Sequence, residues 1–321
     1  MTRGNGSELS ARPLSAHGGT VIEPLAPAAL ADVAVQPVLD AFARDGVVLL
    51  RGFDADLEGF RALTDRLGRD FSLYEGGVFR FRALDREQVG KDPTVMTTTG
   101  QSTGFPIAPH GEMYYMGKRP STMWFFCQRP AAKGGQTTVH DGALVARELD
   151  DAARSELMRR DTVYERRLGD ADWRTTFRTE SRERALELCA DAGTEASFAD
   201  DGSLSLRYTC RAIVDRDGVP TCVNSVLPVW TTEHAFESGW VRENMGDLGD
   251  TSPISVRFED GSRLPPALVE EIARAAEEAA TEVDWQAGDL LMIDNTRVMH
   301  GRRRTKDAER SVVVRMGSLA G

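Results

Sequence analysis

The pattern of hydrophobic and polar residues predicts an alternation of helix and strand in the first part of the chain. Apolar residues recur at helical spacing over about 33–45, and Gly46 separates this helix from the apolar run 47–50. A short apolar run after a glycine stop is typical of a buried strand. A second amphipathic helix is predicted over about 60–67, so the order is helix, strand, helix.

Short apolar runs separated by turn residues dominate the rest of the chain. Strands are predicted at 124–127, 137–139, 290–293 and 311–315, and several short strands within 204–227. Asp141 is a candidate helix cap, a helix with proline at its start is predicted over 265–281, and the charged segment 150–187 is predicted to be helix and loop. Many short strands with few helices favour a mixed α and β fold, with a barrel or sandwich core and helices outside it.

Composition then narrows the class of protein. The 321 residues carry a formal net charge of -11. A nucleic-acid partner is not expected, because a surface that binds phosphates needs clustered Lys and Arg. No apolar run approaches the roughly 20 residues of a membrane span, and the polar N-terminal residues lack the apolar centre of a secretory signal. We therefore expect a cytoplasmic protein without a membrane partner, with a disordered arm at 1–20 and a single domain at 21–321.

Candidate metal ligands lie at two distant places in the chain. His110 and Glu112 are two residues apart, and in an extended segment such residues point to the same face. His300, just beyond the predicted strand 290–293, is the best candidate for a third ligand. Two histidines and one carboxylate form the facial triad of non-haem Fe(II) oxygenases, which leaves positions open for a cosubstrate and O₂.

Two long segments resemble the TauD/TfdA group of Fe(II)- and 2-oxoglutarate-dependent dioxygenases. They are PHGEMYYMGKRPSTMWFFCQRPAAKGGQTT and WQAGDLLMIDNTRVMHGRRRTKDAERSVVVRM, and the early segment VVLLRGF is similar to an N-terminal strand of the group. The middle of the chain, about 150–225, carries no such resemblance. The resemblance implies a double-stranded β-helix, or jelly roll, with surrounding helices.

The resemblance also implies roles for individual residues. His110, Glu112 and His300 match the iron ligands of the group, so Fe(II) and 2-oxoglutarate are the expected cofactors. Thr137, in the Gly-Gly-x-Thr element, matches the threonine that binds the distal carboxylate of 2-oxoglutarate.

An arginine on the strand after the second histidine is implied for the same carboxylate. Arg315 is favoured because it lies within the predicted strand, at about the usual distance from the histidine, and Arg310 is the alternative. The two are five residues apart, so on a regular strand they face opposite sides and only one points into the barrel. Arg302 is expected to form a structural ion pair near the site.

Glu112, followed by Met113 and Tyr114, resembles the subgroup that hydroxylates amino acids, and a carboxylate here argues against halogenation. We therefore expect an oxidoreductase that hydroxylates an unactivated C–H bond of an amino acid or amino-acid-derived small molecule, free or carrier-bound, and forms succinate and CO₂. Desaturation, epoxidation or cyclisation by the same oxidising chemistry is the alternative. Candidate substrate contacts, each weighed against an ordinary loop or surface role, are Gln101, Ser102, Tyr114, Arg80, Arg82 and Asn224.

Two other classes of protein stay open at this point. A zinc hydrolase with the same ligands needs a general base beside the metal-bound water, and no placed candidate is evident. A non-catalytic barrel would bind only a ligand or partner, and the presence of Thr137 and Arg315 beside all three ligands argues against it. A homo-oligomer is left open.

Other polar residues have ordinary expected roles. His140 and His234 are expected in packing or at the surface. Asp294 and Asn295 are expected to satisfy backbone groups near the His300 strand, and Asp294 is also a candidate to orient a ligand histidine.

Overall fold

Residues 8–72, 86–100, 104–245 and 251–320 are described by the computed structural model. Four of the candidate substrate contacts, Arg80, Arg82, Gln101 and Ser102, lie outside these ranges.

The strands and helices of the described residues are named in chain order. The strands are β1 (Leu9–Ser15), β2 (Gly18–Pro24), β3 (Val47–Leu50), β4 (Gly68–Arg69), β5 (Met96–Thr97), β6 (Ile107–His110), β7 (Thr122–Arg129), β8 (Thr137–Asp141), β9 (Asp161–Leu168), β10 (Glu195–Phe198), β11 (Leu204–Arg211), β12 (Ile213–Arg216), β13 (Val219–Cys222), β14 (Ile254–Phe258), β15 (Ala280–Val283), β16 (Leu290–Asp294), β17 (Val298–Arg302) and β18 (Ser311–Leu319). The helices are α1 (Val35–Asp45), α2 (Leu57–Leu67), α3 (Gly142–Glu148), α4 (Asp151–Arg159), α5 (Asp170–Phe177), α6 (Arg182–Asp191), α7 (Val226–Glu237), α8 (Trp240–Met245) and α9 (Pro266–Glu278).

Two sheets form the centre of the fold. The larger has eight strands in the order β1-β2-β3-β16-β7-β18-β4, with β5 beside β18, and the smaller has the order β15-β8-β17-β6. Val139 and Val298 of the smaller sheet share one buried core with Leu291 and Val314 of the larger sheet, so the two sheets pack face to face. This arrangement confirms the predicted mixed α and β fold with a jelly-roll core.

Both faces of the larger sheet are buried at its central strands, β3, β16, β7 and β18. Leu291 and Val314 face the smaller sheet, whereas their chain neighbours Leu290 and Val313 pack with the residues of α1 and α2. Successive strand residues point to opposite faces, and here both faces are covered. These central strands therefore appear in the sequence as continuous apolar runs, without the alternation of a half-exposed strand.

Smaller units surround this sandwich. A second four-stranded sheet has the order β10-β11-β9-β14, and β12 and β13 form a hairpin. Helices α3, α4, α7 and α9 share a buried core with this sheet and with Met299 of β17, and α5 and α6 cover another part of the same sheet.

Several predicted elements are confirmed at their predicted positions. Helix α1 is followed by Gly46 in the left-handed conformation, at φ 69°, and β3 begins directly after it. Asp141 caps α3, since its side chain accepts hydrogen bonds from the backbone N–H groups of Ala143 and Leu144.

Two predictions about local structure are wrong. The arm predicted to be disordered at 1–20 contains β1, which pairs with β2 at the edge of the larger sheet and carries the Arg12–Glu23 ion pair across the two strands. An edge strand with an exposed face needs few apolar residues, which explains the polar pattern. Residues 161–168, predicted to be helix or loop, form β9, with Val163 and Tyr164 buried.

No helix within the described ranges combines the length and the apolar character needed to cross a membrane. The single domain, the cytoplasmic location and the lack of a nucleic-acid partner stay predictions.

Candidate metal centre and active site

Strands β6 and β17 bring the candidate metal ligands together. The strands are antiparallel, with His110 directly opposite His300 and 4.4 Å between the centroids of the two imidazole rings. Glu112 Oε2 lies 3.9 Å from His110 Nε2 and 3.7 Å from His300 Nε2. Two atoms that each bind one ion at about 2.1 Å are at most about 4.2 Å apart, so both distances suit a shared metal ion.

Burial prepares the two imidazoles to bind a cation. Burial lowers the pKa of His110, and it holds the pKa of His300 well below its usual value. His110 Nδ1 lies 2.9 Å from the carbonyl oxygen of Ala108, which only accepts, so the lone pair of the neutral ring is on Nε2. Two neutral imidazole nitrogens and a carboxylate are a donor set that suits Fe(II).

Both backbone groups of the glycine between the first two ligands, its N–H and its carbonyl, are hydrogen-bonded. Gly111 N–H donates to the Asn224 carbonyl at 2.8 Å, and its carbonyl accepts from the Ser225 hydroxyl at 2.9 Å. A Cβ at Gly111 would lie 2.4 Å from the ring of Tyr114. No side chain fits there, so a glycine is required between the ligands.

The structure contradicts the prediction that Asn224 contacts substrate. Its side chain is 1% exposed, accepts a hydrogen bond from Val226 N–H at 3.0 Å and donates to the Ala212 carbonyl at 3.3 Å. These bonds fix the start of α7. Asn224 acts near the site only through its backbone carbonyl, which holds Gly111.

Tyr114 also does not face the site as predicted. Met113 has φ 60°, so the chain leaves the extended conformation directly after Glu112 and the two-residue alternation no longer holds. The Tyr114 ring packs in the core beside the guanidinium of Arg119, 4.1 Å from the ring centroid, and burial raises its pKa to about 12. The next residue, Tyr115, packs against the same core, and burial raises its pKa.

A cavity opens beside the metal ligands. Its walls include His110, His300, Arg86, Thr137, Arg302 and Arg310. The Trp285 indole N–H donates to Thr137 Oγ1 at 3.0 Å. Because an indole N–H can only donate, the Thr137 hydroxyl accepts this bond and keeps its own proton for another acceptor.

Arg310 is a buried cation of this cavity. It is 1% exposed, its Nε donates to the Gly135 carbonyl at 2.9 Å, and its Nη1 has no hydrogen-bond partner among the described residues. Burial, followed by the charge of Arg302, lowers its pKa to about 10. A buried guanidinium without a carboxylate partner is costly, so this part of the cavity is suited to an anion.

Arg315 lies on the other side of the sheet, so the preference for it is wrong. Val314 and its alternate neighbours in β18 face the smaller sheet, which puts Arg315 on the face that packs against α2. Its guanidinium pairs with Asp65 at 2.6 Å and Asp92 at 3.3 Å, and lies 3.5 Å from the ring centroid of Phe71. Of the two candidates, Arg310 is the one that lies in the cavity beside the ligands.

Arg302 forms no ion pair within the described ranges, contrary to prediction. Its guanidinium donates to the backbone carbonyls of Thr99, Gly100 and Phe105 at 2.8 to 3.0 Å. Burial lowers its pKa to about 10. Arg302 therefore holds both sides of the loop that leads into β6.

Arg86 is a site residue that the sequence did not indicate. Its Nη2 donates to Glu112 Oε2 at 2.8 Å, and its Nε donates to Thr99 Oγ1 at 3.0 Å. The contact joins positions 26 residues apart through a segment without periodicity. The nearby Arg80 and Arg82 were predicted as substrate contacts only because they lie in a strand-like run.

Asp294 and Asn295 have separate roles. Asp294 accepts hydrogen bonds from the backbone N–H and hydroxyl of Thr296, so it does not orient a ligand histidine. Asn295 satisfies backbone groups, as predicted, and these include the peptide of Glu112.

His140 is packed beneath the site, as expected. Its Nδ1 lies 2.7 Å from the Ala276 carbonyl and its Nε2 lies 2.9 Å from Thr138 Oγ1. Burial lowers its pKa to about 4. In the unfolded chain the pKa of a histidine is near 6.5, so as the pH falls the unfolded chain binds a proton at this position before the folded protein does. The stability that depends on neutral His140 is therefore complete above pH about 6.5 and is lost as the pH falls to about 4.

We expect this one group to lower the free energy of unfolding of the metal-free protein by about 3 kcal/mol between pH 7 and pH 4. Urea unfolding at several pH values, on the wild type and on His140→Gln, measures it. The variant should show a smaller loss of stability in this window, because every other titrating group is shared. Equal pH dependence in the two proteins would contradict the assignment.

Comparison with known proteins identifies the family. The sequence model of "Taurine catabolism dioxygenase TauD, TfdA family" matches residues 10–316. The chain belongs to the TauD/TfdA family. This membership confirms the predicted enzyme class, a dioxygenase, and together with the ligand cluster His110, Glu112 and His300 it confirms Fe(II) and 2-oxoglutarate as the cofactors. The zinc hydrolase and the non-catalytic barrel are no longer supported.

Proteins similar to this chain match most of its length. A clavaminate synthase-like protein of Arabidopsis thaliana is 27% identical over 274 residues, 80% of this chain and 77% of its own. The dapdiamide synthesis protein DdaC of Enterobacter agglomerans is 25% identical over 289 residues, 87% of this chain and 84% of its own. The structure of PvcB from Pseudomonas aeruginosa superposes with a TM-score of 0.55 at 18% identity, covering 98% of this chain and 92% of PvcB, which supports the fold.

Proposed function

We propose that this TauD/TfdA dioxygenase hydroxylates an unactivated C–H bond of an amino acid or an amino-acid-derived small molecule, free or carrier-bound. The observation that carries the proposal is the convergence of His110, Glu112 and His300 beside a cavity that holds the buried Arg310, whose Nη1 has no partner among the described residues. The ligands supply a metal site, and the arginine supplies a place for the anionic cosubstrate.

The metal ion would be held by Nε2 of His110, Nε2 of His300 and the Glu112 carboxylate. These groups come from β6, from the turn after it and from β17, so the pairing of two strands fixes the two histidines and Glu112 follows directly after the first strand. The protein contributes position and exclusion of water, and no side chain is needed as a general base.

The distal carboxylate of 2-oxoglutarate would be held by Arg310 and Thr137. Arg310 offers an Nη1 that has no partner within the described residues, and the Thr137 hydroxyl has a proton to donate because Trp285 occupies its oxygen as a donor. When iron and 2-oxoglutarate are bound, they supply the oxidation: O₂ is consumed, 2-oxoglutarate becomes succinate and CO₂, and one oxygen atom enters the substrate.

An amino-acid substrate is supported by the residues around Glu112 and by two relatives of the chain. Glu112, Met113 and Tyr114 have the pattern of amino-acid hydroxylases, and the relatives are clavaminate synthase-like and dapdiamide-synthesis proteins. Arg86 lines the same cavity, where its guanidinium pairs with the Glu112 carboxylate. Arg80, Arg82, Gln101 and Ser102 stay proposals as further substrate contacts.

Desaturation, epoxidation and cyclisation remain alternatives for the product. Each follows from the same oxidising chemistry, and the outcome depends on substrate placement at the scale of about an ångström. Mass analysis of the product divides these outcomes into two groups, because hydroxylation and epoxidation each add one oxygen atom whereas desaturation and oxidative cyclisation each remove two hydrogen atoms.

Anaerobic addition of Fe(II) and then 2-oxoglutarate is expected to give a weak visible charge-transfer band, which Zn(II) in place of Fe(II) does not give. Admission of O₂ with a panel of free and carrier-bound amino acids should then raise succinate formation for the true substrate class. No band, together with no succinate, would contradict the cofactor assignment. A band without stimulation by any amino acid would contradict only the substrate class.

A further inference from the structure

Glu112 lies at a weakly anchored point of the backbone. Strand β6 ends at His110, and Met113, directly after Glu112, has the left-handed φ of 60°. The residue therefore lies in a turn, where no strand partner holds its peptide groups. Its carboxylate nevertheless has to meet two imidazoles that the paired strands fix in position.

The side chain of Asn295 supplies the missing anchor. Its Oδ1 accepts from Glu112 N–H at 2.7 Å, and its Nδ2 donates to the Glu112 carbonyl at 3.1 Å and to the Pro120 carbonyl at 2.8 Å. The residue is 0% exposed. The orientation of the amide is fixed by chemistry, because an N–H only donates and a carbonyl only accepts.

We propose that Asn295 is a positioning residue of the metal centre, and this inference rests on the proposed metal site. Asn295 follows β16 and lies five residues before His300, while its partner Glu112 is 183 residues away in sequence. Its amide pairs with both peptide groups of Glu112, as a neighbouring strand would. It thereby fixes the distance between the segment that carries the carboxylate ligand and the segment that carries the second histidine.

A structural role alone would not predict the same consequences. Without the amide, the Glu112 peptide loses both anchors on this side, and a backbone shift moves Oε2 away from the position that it shares with the two Nε2 atoms. Groups that orient metal ligands typically change metal affinity by 10- to 100-fold when they are removed. Metal affinity and the coordination spectrum should therefore respond beyond any change in stability.

Co(II) binding to the full-length, metal-free protein tests the proposal without reference to activity. Asn295→Ala should weaken Co(II) binding by at least about 10-fold and change the visible ligand-field bands. Asn295→Asp has nearly the same shape but places a second carboxylate oxygen against the carbonyls of Glu112 and Pro120. Asn295→Asp should therefore weaken Co(II) binding at least as much as Asn295→Ala does.

Asp294→Asn is the matched control, since Asp294 contacts Thr296 and not Glu112, and it should bind Co(II) like the wild type. Thermal unfolding of each metal-free variant shows which proteins are folded. If Asn295→Ala does not fold, Asn295→Ser replaces it, with the same expectation. Folded Asn295 variants with wild-type affinity and bands would overturn the proposal, whereas a wild type that binds no Co(II) would contradict the metal site itself.

Discussion

Alanine at His110, Glu112 or His300 is expected to remove stable Fe(II) binding and to lower succinate formation by about 1000-fold or more. Each substitution leaves two ligand atoms of the three that lie within 4.8 Å of one another. Iron content by a chelator assay and succinate formation in the presence of 2-oxoglutarate measure the two effects. Glu112→Ala also removes the carboxylate that pairs with Arg86, so it should be the variant with the largest loss of stability.

His234→Ala is the control for these three variants. His234 is exposed on α7 and stacks on Trp230, with 5.1 Å between ring centroids, so its loss should leave iron content and succinate formation unchanged. A His300→Ala protein that retained normal iron and a normal rate would contradict the metal site.

Arg310→Ala is expected to raise the 2-oxoglutarate concentration needed for half-maximal succinate formation by about 30-fold or more, because a charge-assisted pair with the distal carboxylate is lost. The metal-free protein should lose little stability, since the guanidinium is buried with an Nη1 that has no partner among the described residues. Titration with 2-oxoglutarate and urea unfolding measure the two quantities on the same preparation.

Arg315→Ala should show the opposite pattern. Its ion pair with Asp65 ties β18 to α2, and its contacts with Asp92 and Phe71 tie the strand to two other segments, so the variant should lose about 3 kcal/mol of stability. The 2-oxoglutarate requirement should stay near that of the wild type. If Arg315→Ala raised this requirement and Arg310→Ala did not, the assignment of the two arginines would be reversed.

The metal ligands could be predicted because their signal is local. His110 and Glu112 are separated by one glycine, and His300 follows a strong apolar strand, so their spacing made them candidates. The resemblance of the two segments that carry them to the TauD/TfdA group then identified them as the ligands. The fold class could be predicted for the same reason, since Val47–Leu50 and Leu290–Asp294 are short apolar runs bounded by turn residues. These features need no knowledge of which elements meet in space.

The rest of the site depends on which faces and segments meet. Both faces of β18 are buried, so the sequence pattern does not show which face lies inside the sandwich, and Arg315 was preferred to Arg310. Tyr114 was misplaced because a single positive φ at Met113 ends the alternation. The contact of Asn295 with Glu112 spans 183 residues, which no local spacing reveals.

The position of β18 affects the order of events during synthesis. This late strand lies inside the larger sheet, between β7 and β4, and Arg310 directly precedes it. A nascent chain released from the ribosome as far as His300 has its metal ligands but not the arginine for the cosubstrate, and β7 lacks β18, one of its two neighbours. Until Ser311–Leu319 is inserted, β7 presents an open sheet edge, which favours aggregation, so we expect the complete site to form only when β18 is in place.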